Sequence, residues 1–152
     1  METNKLIEES LQNINVAEYL INRTYHTVED SRLLLSGLEN TFLAFTKGIS
    51  AILYHERKYK HIPKFPETLE GKISIFRDTS SRLKLEQYLN TIDELREVLV
   101  AHQKSAIEFT KKDRLVICSD DYNLNIITAD VIKKHLSKAK EFIEEIRRVT
   151  NE

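Results

Sequence analysis

The residues with the clearest potential for chemistry are an arginine and a histidine on one predicted helix, Arg96 and His102. Six positions along a helix give a rise of about 9 Å and an angular separation of about 120°, so the two side chains border the same face. Histidine titrates near neutral pH and can transfer protons, whereas arginine stays charged and binds a phosphate through two parallel hydrogen bonds. The pair therefore meets the minimal requirement for metal-independent RNA cleavage: His102 would deprotonate a 2′-hydroxyl, and Arg96 would stabilise the charge on the phosphorane.

The same two positions also have a purely structural interpretation. His102 continues the apolar stripe of its helix, and Arg96 lies beside that stripe, close to the acids Asp93 and Glu97. A histidine at the edge of the core and a surface arginine paired with one of these acids would explain both positions. The spacing of the two residues leaves both interpretations open.

The sequence offers little for other kinds of catalysis. It contains no CxxC or HExxH motif and no two histidines four residues apart, so we expect no metal site and no cofactor. The single cysteine, Cys118, follows a short apolar run and is expected to be a small buried residue rather than a nucleophile. The three glycines, Gly37, Gly48 and Gly71, are too far apart to form a phosphate-binding loop.

Basic residues are concentrated in two clusters. The first runs from Lys47 to Lys64, where five Lys and Arg residues accompany a single acid, Glu56, and where Tyr54 and Tyr59 are interleaved. The second cluster consists of Lys104, Lys111, Lys112 and Arg114. Charged runs are commonly solvated surface. If the two clusters converge in space, however, they would form a groove for phosphates with tyrosines available to stack bases.

The composition predicts a single globular domain. The chain has 152 residues, close to the length of one average domain, and a net charge of −1, which excludes a uniformly basic nucleic-acid coat protein. One cysteine allows no disulfide within the chain and fits a reducing compartment. The acidic first residues lack the apolar core of a signal peptide, and charges interrupt the most apolar stretch, so we expect a cytoplasmic protein with no membrane span.

The pattern of apolar residues predicts a mainly α-helical (all-α class) fold. Apolar side chains recur every three or four positions, which indicates amphipathic helices. The predicted helices span residues 3–28, 31–59, 67–78, 82–106 and 129–149, with a break rich in capping residues at 78–81. The β-branched run 114–118, turn-forming residues and the segment 124–128 predict a hairpin. We expect an antiparallel helical bundle of about five helices with a small β-hairpin before the last helix.

The second predicted helix carries a stripe of small residues beside its apolar stripe. The members are Gly37, Thr41, Ala44, Gly48 and Ala51. Glycine inside a helix costs about 1 kcal/mol relative to alanine, so two glycines on one stripe indicate that another helix approaches closely. That neighbour is either a helix of the same chain or a second subunit.

The segment Leu95-Arg96-Glu97-Val98-Leu99-Val100-Ala101-His102 resembles the signature of HEPN domains. In that family an arginine and a histidine, separated by four to six residues, lie on a late helix of an α-helical bundle; here five residues separate them. The layout is also similar, with two long helices first, then the motif helix and a closing amphipathic helix. The resemblance covers roughly residues 10 to 148.

The resemblance implies an RNA-associated domain and, as in many members, a metal-independent endoribonuclease of toxin–antitoxin, defence or RNA-processing type. HEPN proteins are often homodimers whose motif helices face each other, and some are paired with a small nucleotidyltransferase. By position, Arg96 and His102 would be the catalytic pair. The residues expected to hold the RNA backbone are Lys104, Lys111, Lys112 and Arg114.

Two other functions remain open from the residues alone. Active HEPN members often carry asparagine after the arginine, where this chain has Glu97, an acid that would repel phosphate. The first alternative is therefore a non-catalytic bundle that acts as a dimeric protein-interaction module. The second is a small-ligand pocket between helices, lined by His102, His135 and Tyr25.

Overall fold

The computed structural model describes residues 2–28, 30–104, 107–111, 113–118 and 123–151, and for residues 107 and 109–111 it describes the backbone only. The described residues form a mainly α-helical bundle with a small antiparallel sheet before the last helix, which confirms the predicted fold class. The helices are α1 (Glu2–Tyr19), α2 (Tyr25–Val28), α3 (Arg32–Lys58), α4 (Leu69–Leu83), α5 (Leu89–Lys104) and α6 (Ala129–Thr150).

Helix α3 is the central helix of the bundle, and its small residues lie where neighbouring helices come closest. A Cβ atom on Gly37 would lie 2.7 Å from Cδ1 of Ile21, which belongs to the π-helical turn between α1 and α2. A Cβ atom on Gly48 would lie 2.8 Å from side-chain atoms of both Phe142 and Ile143 on α6. The small stripe therefore packs against helices of the same chain, which is one of the two predicted arrangements.

Helix α4 continues through the break that the sequence predicted at 78–81. The hydroxyl of Thr79 donates a hydrogen bond to the carbonyl oxygen of Ile75 (3.0 Å). Its hydrogen bond is therefore made within α4, and Thr79 does not cap the start of another helix. The chain turns later, at Lys84, which adopts a left-handed conformation (φ 60°) and ends α4. Helix α5 consequently begins at Leu89, and the boundaries predicted between these two helices were wrong.

The sheet contains one strand more than the predicted hairpin. Its strands are β1 (Ile107–Lys111), β2 (Arg114–Cys118) and β3 (Leu124–Thr128), antiparallel in the order β1-β2-β3. The hairpin of β2 and β3 has the predicted bounds, whereas the turn predicted between them lies outside the described residues apart from Asn123. Strand β1 was missed, although its alternation of apolar and polar residues is typical of a strand.

The core is centred on one aromatic side chain of α6, Phe142, which is fully buried. Its ring centroid lies 5.1 Å from that of Tyr88, 5.3 Å from that of Phe45 and 5.7 Å from that of Phe76. These three partners come from the segment before α5, from α3 and from α4. The cluster therefore ties four parts of the chain together and fixes where α5 begins. Within the described chain, no helix has both the length and the apolar character of a membrane span.

Candidate functional site

Helix α5 positions both residues of the predicted pair. Its inner face is anchored by Ile92 and Leu95, which are both fully buried. Arg96 follows Leu95 directly, and His102 lies in the last turn of the helix, so both side chains emerge at the edge of the buried face. Their side chains are 30% and 32% exposed, which leaves each of them accessible but held against the protein.

Arg96 and His102 line the same groove, which we call the motif groove. The groove has a volume of about 560 Å³ and lies between α3, α4 and α5. Besides the two motif residues, the residues that line it are Glu39, Phe42, Leu43, Leu69, Glu70, Leu99, Val100 and Gln103. The structure thus brings the predicted pair to one concave surface, with both apolar and charged walls, where a ligand could contact both side chains.

Arg96 is held by an acid that the sequence did not indicate. Its guanidinium forms an ion pair and a hydrogen bond with the carboxylate of Glu70 on α4, whose side chain is 70% exposed. An ion pair this open to solvent contributes only about 0–1 kcal/mol, so a phosphate could displace Glu70 at little cost. The acids proposed from the sequence lie elsewhere: Asp93 pairs with Arg77 (2.7 Å), and Glu97 is exposed and does not line the groove.

His102 also has a carboxylate partner, and this pairing selects one form of its ring. Nδ1 of His102 forms a hydrogen bond with a carboxylate oxygen of Glu108 on β1. Because an ionised carboxylate only accepts hydrogen bonds, Nδ1 carries the proton in this pair, and in the neutral ring the lone pair is then on Nε2. A histidine oriented in this way is suited to accept a proton at Nε2.

The second basic cluster continues away from the groove along the first two strands. Lys104 is exposed at the end of α5, and Arg114 is exposed at the start of β2, with its Nε 3.4 Å from a carboxylate oxygen of Asp113. In the register of the sheet, Lys111 is opposite Arg114, about 10 Å along β1 from Glu108. The side chain of Lys111 and all of Lys112 lie outside the described residues.

Most of the first basic cluster lies at the end of α3 that is remote from the motif groove and in the segment that follows this helix. Helix α3 rises about 21 Å between Leu43, which lines the motif groove, and Arg57. Within this cluster, Lys47 pairs with Glu9 (3.8 Å). Arg57 and the basic residues that follow it in this cluster therefore lie away from the motif groove, and none of them lines it.

The acid of this first cluster, Glu56, is buried and heavily paired. Its carboxylate accepts a hydrogen bond from Arg82 (2.6 Å), lies 3.0 Å from Nδ1 of His61, and is almost fully buried. Burial raises the pKa of the Glu56 carboxyl, but the hydrogen bonds from His61 and Arg82 outweigh burial and hold that pKa below its usual value. The carboxylate thus joins the end of α3 to α4 and to the loop that follows α3.

We expect Glu56→Gln to lower the free energy of unfolding by about 1–2 kcal/mol at pH 7. The reason is that the side chains in contact with Glu56 lose the negative charge of its buried carboxylate. A carboxyl whose pKa is lower in the folded protein stabilises the fold above its unfolded pKa, and this stabilisation is lost as the pH falls through the folded pKa. The difference between wild type and variant should therefore shrink below about pH 4. Urea unfolding at pH 7 and at pH 3.5 measures it, with the surface variant Glu144→Gln as the control. An equal difference at both pH values would contradict this role.

The structure does not bring the residues of the predicted ligand pocket together. His102 lines the motif groove, whereas His135 and Tyr25 are buried and do not line it. Nε2 of His135 lies 3.9 Å from a carboxylate oxygen of Glu94, and burial lowers the pKa of this imidazole. Cys118 is half-buried at the end of β2. The described residues contain no group of three or more His, Cys, Asp or Glu side chains placed to bind a metal ion.

Comparisons of the chain with protein-family models, with curated proteins and with solved structures give no match. The relationship to HEPN domains therefore remains a prediction from the residues of the motif and the order of the elements.

Proposed function

We propose that this protein is a HEPN-like RNA-associated domain that cleaves RNA without a metal ion. The observation that carries the proposal is the shared groove: Arg96 and His102 line one concave surface, and each side chain is oriented by a carboxylate. In this mechanism Nε2 of His102 accepts the proton of a ribose 2′-hydroxyl, and the resulting oxygen attacks the adjacent phosphorus atom. The bond between phosphorus and the 5′-oxygen breaks, and the leaving 5′-oxygen takes up a proton from solvent. Arg96 exchanges Glu70 for the phosphate and stabilises the charge that develops on its oxygens.

The carboxylates explain how these two side chains stay in place before RNA binds. Glu108 selects the form of the neutral His102 ring that carries its proton on Nδ1, so that the lone pair lies on Nε2, the nitrogen that acts as the base. Glu70 holds the guanidinium of Arg96 in the groove through an exposed ion pair that RNA can replace. Lys104 and Arg114, with Lys111 and Lys112, would hold the RNA backbone beyond the groove.

Arg96→Ala should lower the rate of RNA cleavage by about 100-fold or more, because it removes a donor that stabilises transition-state charge. The matched control is Arg77→Ala, since Arg77 also joins α4 to α5 through an exposed ion pair, with Asp93, but does not line the groove. The rate is measured on structured RNA in the presence of EDTA. Equal losses in the two variants would mean that Arg96 acts only by joining the helices.

A second candidate function is supported by the apolar rim of the same groove. Leu43, Leu69 and Val100 line the groove and are 43%, 40% and 38% exposed. Large apolar side chains gathered at one exposed surface are typical of an interaction site. We propose that a second copy of the chain covers this rim, which would make the protein a homodimer. The alternative function is then a dimeric protein-interaction module, in which this apolar rim forms the interface and no RNA is cleaved.

Val100→Asp should weaken self-association at least tenfold, because it places an unpaired charge against an apolar surface. Val131→Asp is the matched control, since Val131 is 37% exposed and lies on α6, away from the groove. Sedimentation at several protein concentrations measures the association. A wild-type protein that remains monomeric at every concentration, or equal weakening by both variants, would exclude this interface.

The salt dependence of RNA binding distinguishes the two functions. A surface that neutralises phosphates releases counterions, so its affinity for RNA falls steeply between low and moderate salt. A protein-interaction module should show no RNA binding even in low salt. A dimer that binds no RNA at low salt would therefore favour the second function.

A further inference from the structure

A larger cleft lies at the end of the bundle opposite the motif groove, and the proposed function does not use it. This end cleft has a volume of about 880 Å³ and is formed where the start of α1, the last turns of α3 and the end of α6 meet. The side chains that matter for its chemistry are Tyr54, His55, Arg57, Lys58, Tyr59 and Glu67. Its volume is within the range of pockets that hold small molecules.

The first notable feature of the end cleft is an imidazole with unused hydrogen-bonding capacity. The side chain of His55 is 14% exposed, and neither ring nitrogen has a hydrogen-bond partner among the described residues. The nearest acid, Glu56, is 3.6 Å from Nδ1 and already accepts from Arg82. Buried polar atoms normally have partners, so this ring is a group that a ligand could satisfy. The ring of Tyr59, 4.9 Å away, would have to move aside to admit it.

The second feature is the combination of cations with an accessible aromatic ring. Tyr59 is 52% exposed although it is a large aromatic residue. The ammonium group of Lys58 lies 5.9 Å from the centre of that ring and has no ion pair among the described residues. Arg57 stacks over the rings of Tyr54 and Phe65, at 4.8 and 4.7 Å, and is therefore held in a fixed position.

One cation of the end cleft, Lys58, remains available to an anion, although two acids, Glu2 and Glu67, also line the cleft. Of these acids, Glu67 accepts a hydrogen bond from the hydroxyl of Tyr54 (2.5 Å) and lies 3.5 Å from Arg57 and 3.6 Å from Lys72. These contacts hold the acid on the wall formed by Tyr54 and leave Lys58 available. The exposed segment that follows, with Lys60 and Lys64, adds positive charge beside the cleft and no acid.

We propose that the end cleft binds a nucleoside phosphate. The base stacks on Tyr59, the phosphate is bound by Lys58 and Arg57, and His55 forms a hydrogen bond with a ligand oxygen. An aromatic platform beside positively charged side chains is the arrangement that proteins use to bind nucleotides without reading their sequence. The ligand is either a free mononucleotide or one nucleotide of a single strand, and the two sources share this chemistry. No described residue lines both the end cleft and the motif groove, so the two sites can be tested separately.

Calorimetric titration at low salt tests the site with three probes: AMP, orthophosphate and a single-stranded hexaadenylate RNA. The protein is the full chain with His102→Ala, so that cleavage cannot consume the RNA and failure of the ribonuclease proposal does not affect the result. We expect AMP or the hexanucleotide to bind, and orthophosphate to bind at least tenfold more weakly. Tyr59→Leu and Lys58→Ala should each weaken binding by about tenfold.

One control variant and two variants of His55 make the outcome specific. Tyr19→Leu removes another tyrosine, 61% exposed and away from the cleft, and should leave binding unchanged. His55→Gln, which keeps hydrogen-bonding groups, should weaken binding less than His55→Leu. Binding of AMP identifies a mononucleotide site, and binding of the hexanucleotide alone identifies a site for a strand. The proposal is overturned if neither binds, if orthophosphate binds as well as AMP, or if Tyr59→Leu has no effect.

Discussion

Replacement of His102 by alanine should lower the rate of RNA cleavage by about 100- to 10,000-fold, the range that one positioned proton-transfer group contributes. The loss should appear in the cleavage step, because the proposed contacts with the RNA backbone come from Lys104 and the strands beyond it. His102 lies in the last turn of α5 with its side chain 32% exposed, so the substitution leaves the buried face of the helix intact. The measurement is single-turnover cleavage in EDTA, with circular dichroism to confirm the fold.

Two further variants separate proton transfer from other effects of removing a histidine. Glu108→Gln should reduce cleavage less than His102→Ala, because it weakens the orientation of the ring but leaves the base present. His26→Ala removes an exposed histidine on α2 and should leave cleavage unchanged. Cleavage that survives His102→Ala would exclude the catalytic role of His102, even if RNA binding were confirmed.

Replacement of Phe142 by alanine should lower the free energy of unfolding by about 3–5 kcal/mol, the usual cost of truncating a buried phenylalanine. Phe142 is fully buried and contacts aromatic rings from α3, from α4 and from the segment before α5. Gly48 lies against the ring and has no side chain, so it cannot fill the cavity that the substitution would leave on that side. Chemical denaturation, followed by circular dichroism, measures the change.

Val131→Ala on the same helix is the control for this substitution, since Val131 is 37% exposed and its truncation should cost less than about 0.5 kcal/mol. Because the aromatic cluster positions the start of α5, Phe142→Ala should also reduce cleavage at temperatures where the fold is partly lost. A cost below about 1 kcal/mol would show that Phe142 is not at the centre of the core.

The fold class was predictable because the helices are long and strongly amphipathic. Helix α6, for example, was predicted at 129–149 and spans Ala129–Thr150, since its apolar residues recur with a regular helical period. The end of α3 was predictable because Pro63 and Pro66, which lack a backbone N–H donor, follow it closely in the sequence. The hairpin of β2 and β3 was also predictable from the sequence, because β-branched runs flank a segment with turn-forming residues.

The predictions failed where local preference and tertiary packing disagree. The residues 78–81 are good helix caps, yet Ser80 is buried and its hydroxyl donates to the carbonyl oxygen of Arg77, so the packed helix continues. Helix α4 ends at Leu83, and the residue that caps it in a left-handed conformation, Lys84, is of a type without the usual preference for that conformation. Nothing in the local sequence marks it, because the position of Tyr88 and Leu85 in the core decides where the chain must turn.

The candidate site was partly predictable in the same sense. The helical spacing of Arg96 and His102 correctly predicts that both side chains reach one surface. Their partners, Glu70 and Glu108, were not predictable, because one is 26 residues away on another helix and the other belongs to the missed strand. A prediction of β1 from its alternating pattern would have placed Glu108 near the end of α5.

The most direct test of the proposed function is the identity of the RNA ends produced by the purified protein in EDTA. Attack by a 2′-hydroxyl, with His102 as the base and Arg96 at the phosphate, leaves a 2′,3′-cyclic phosphate on one product and a 5′-hydroxyl on the other. We therefore predict these ends, and no cleavage where the attacking 2′-hydroxyl is replaced by hydrogen. Absence of cleavage on a broad set of RNAs, products with 5′-phosphate ends, or cleavage of the 2′-deoxy substrate would contradict the proposal.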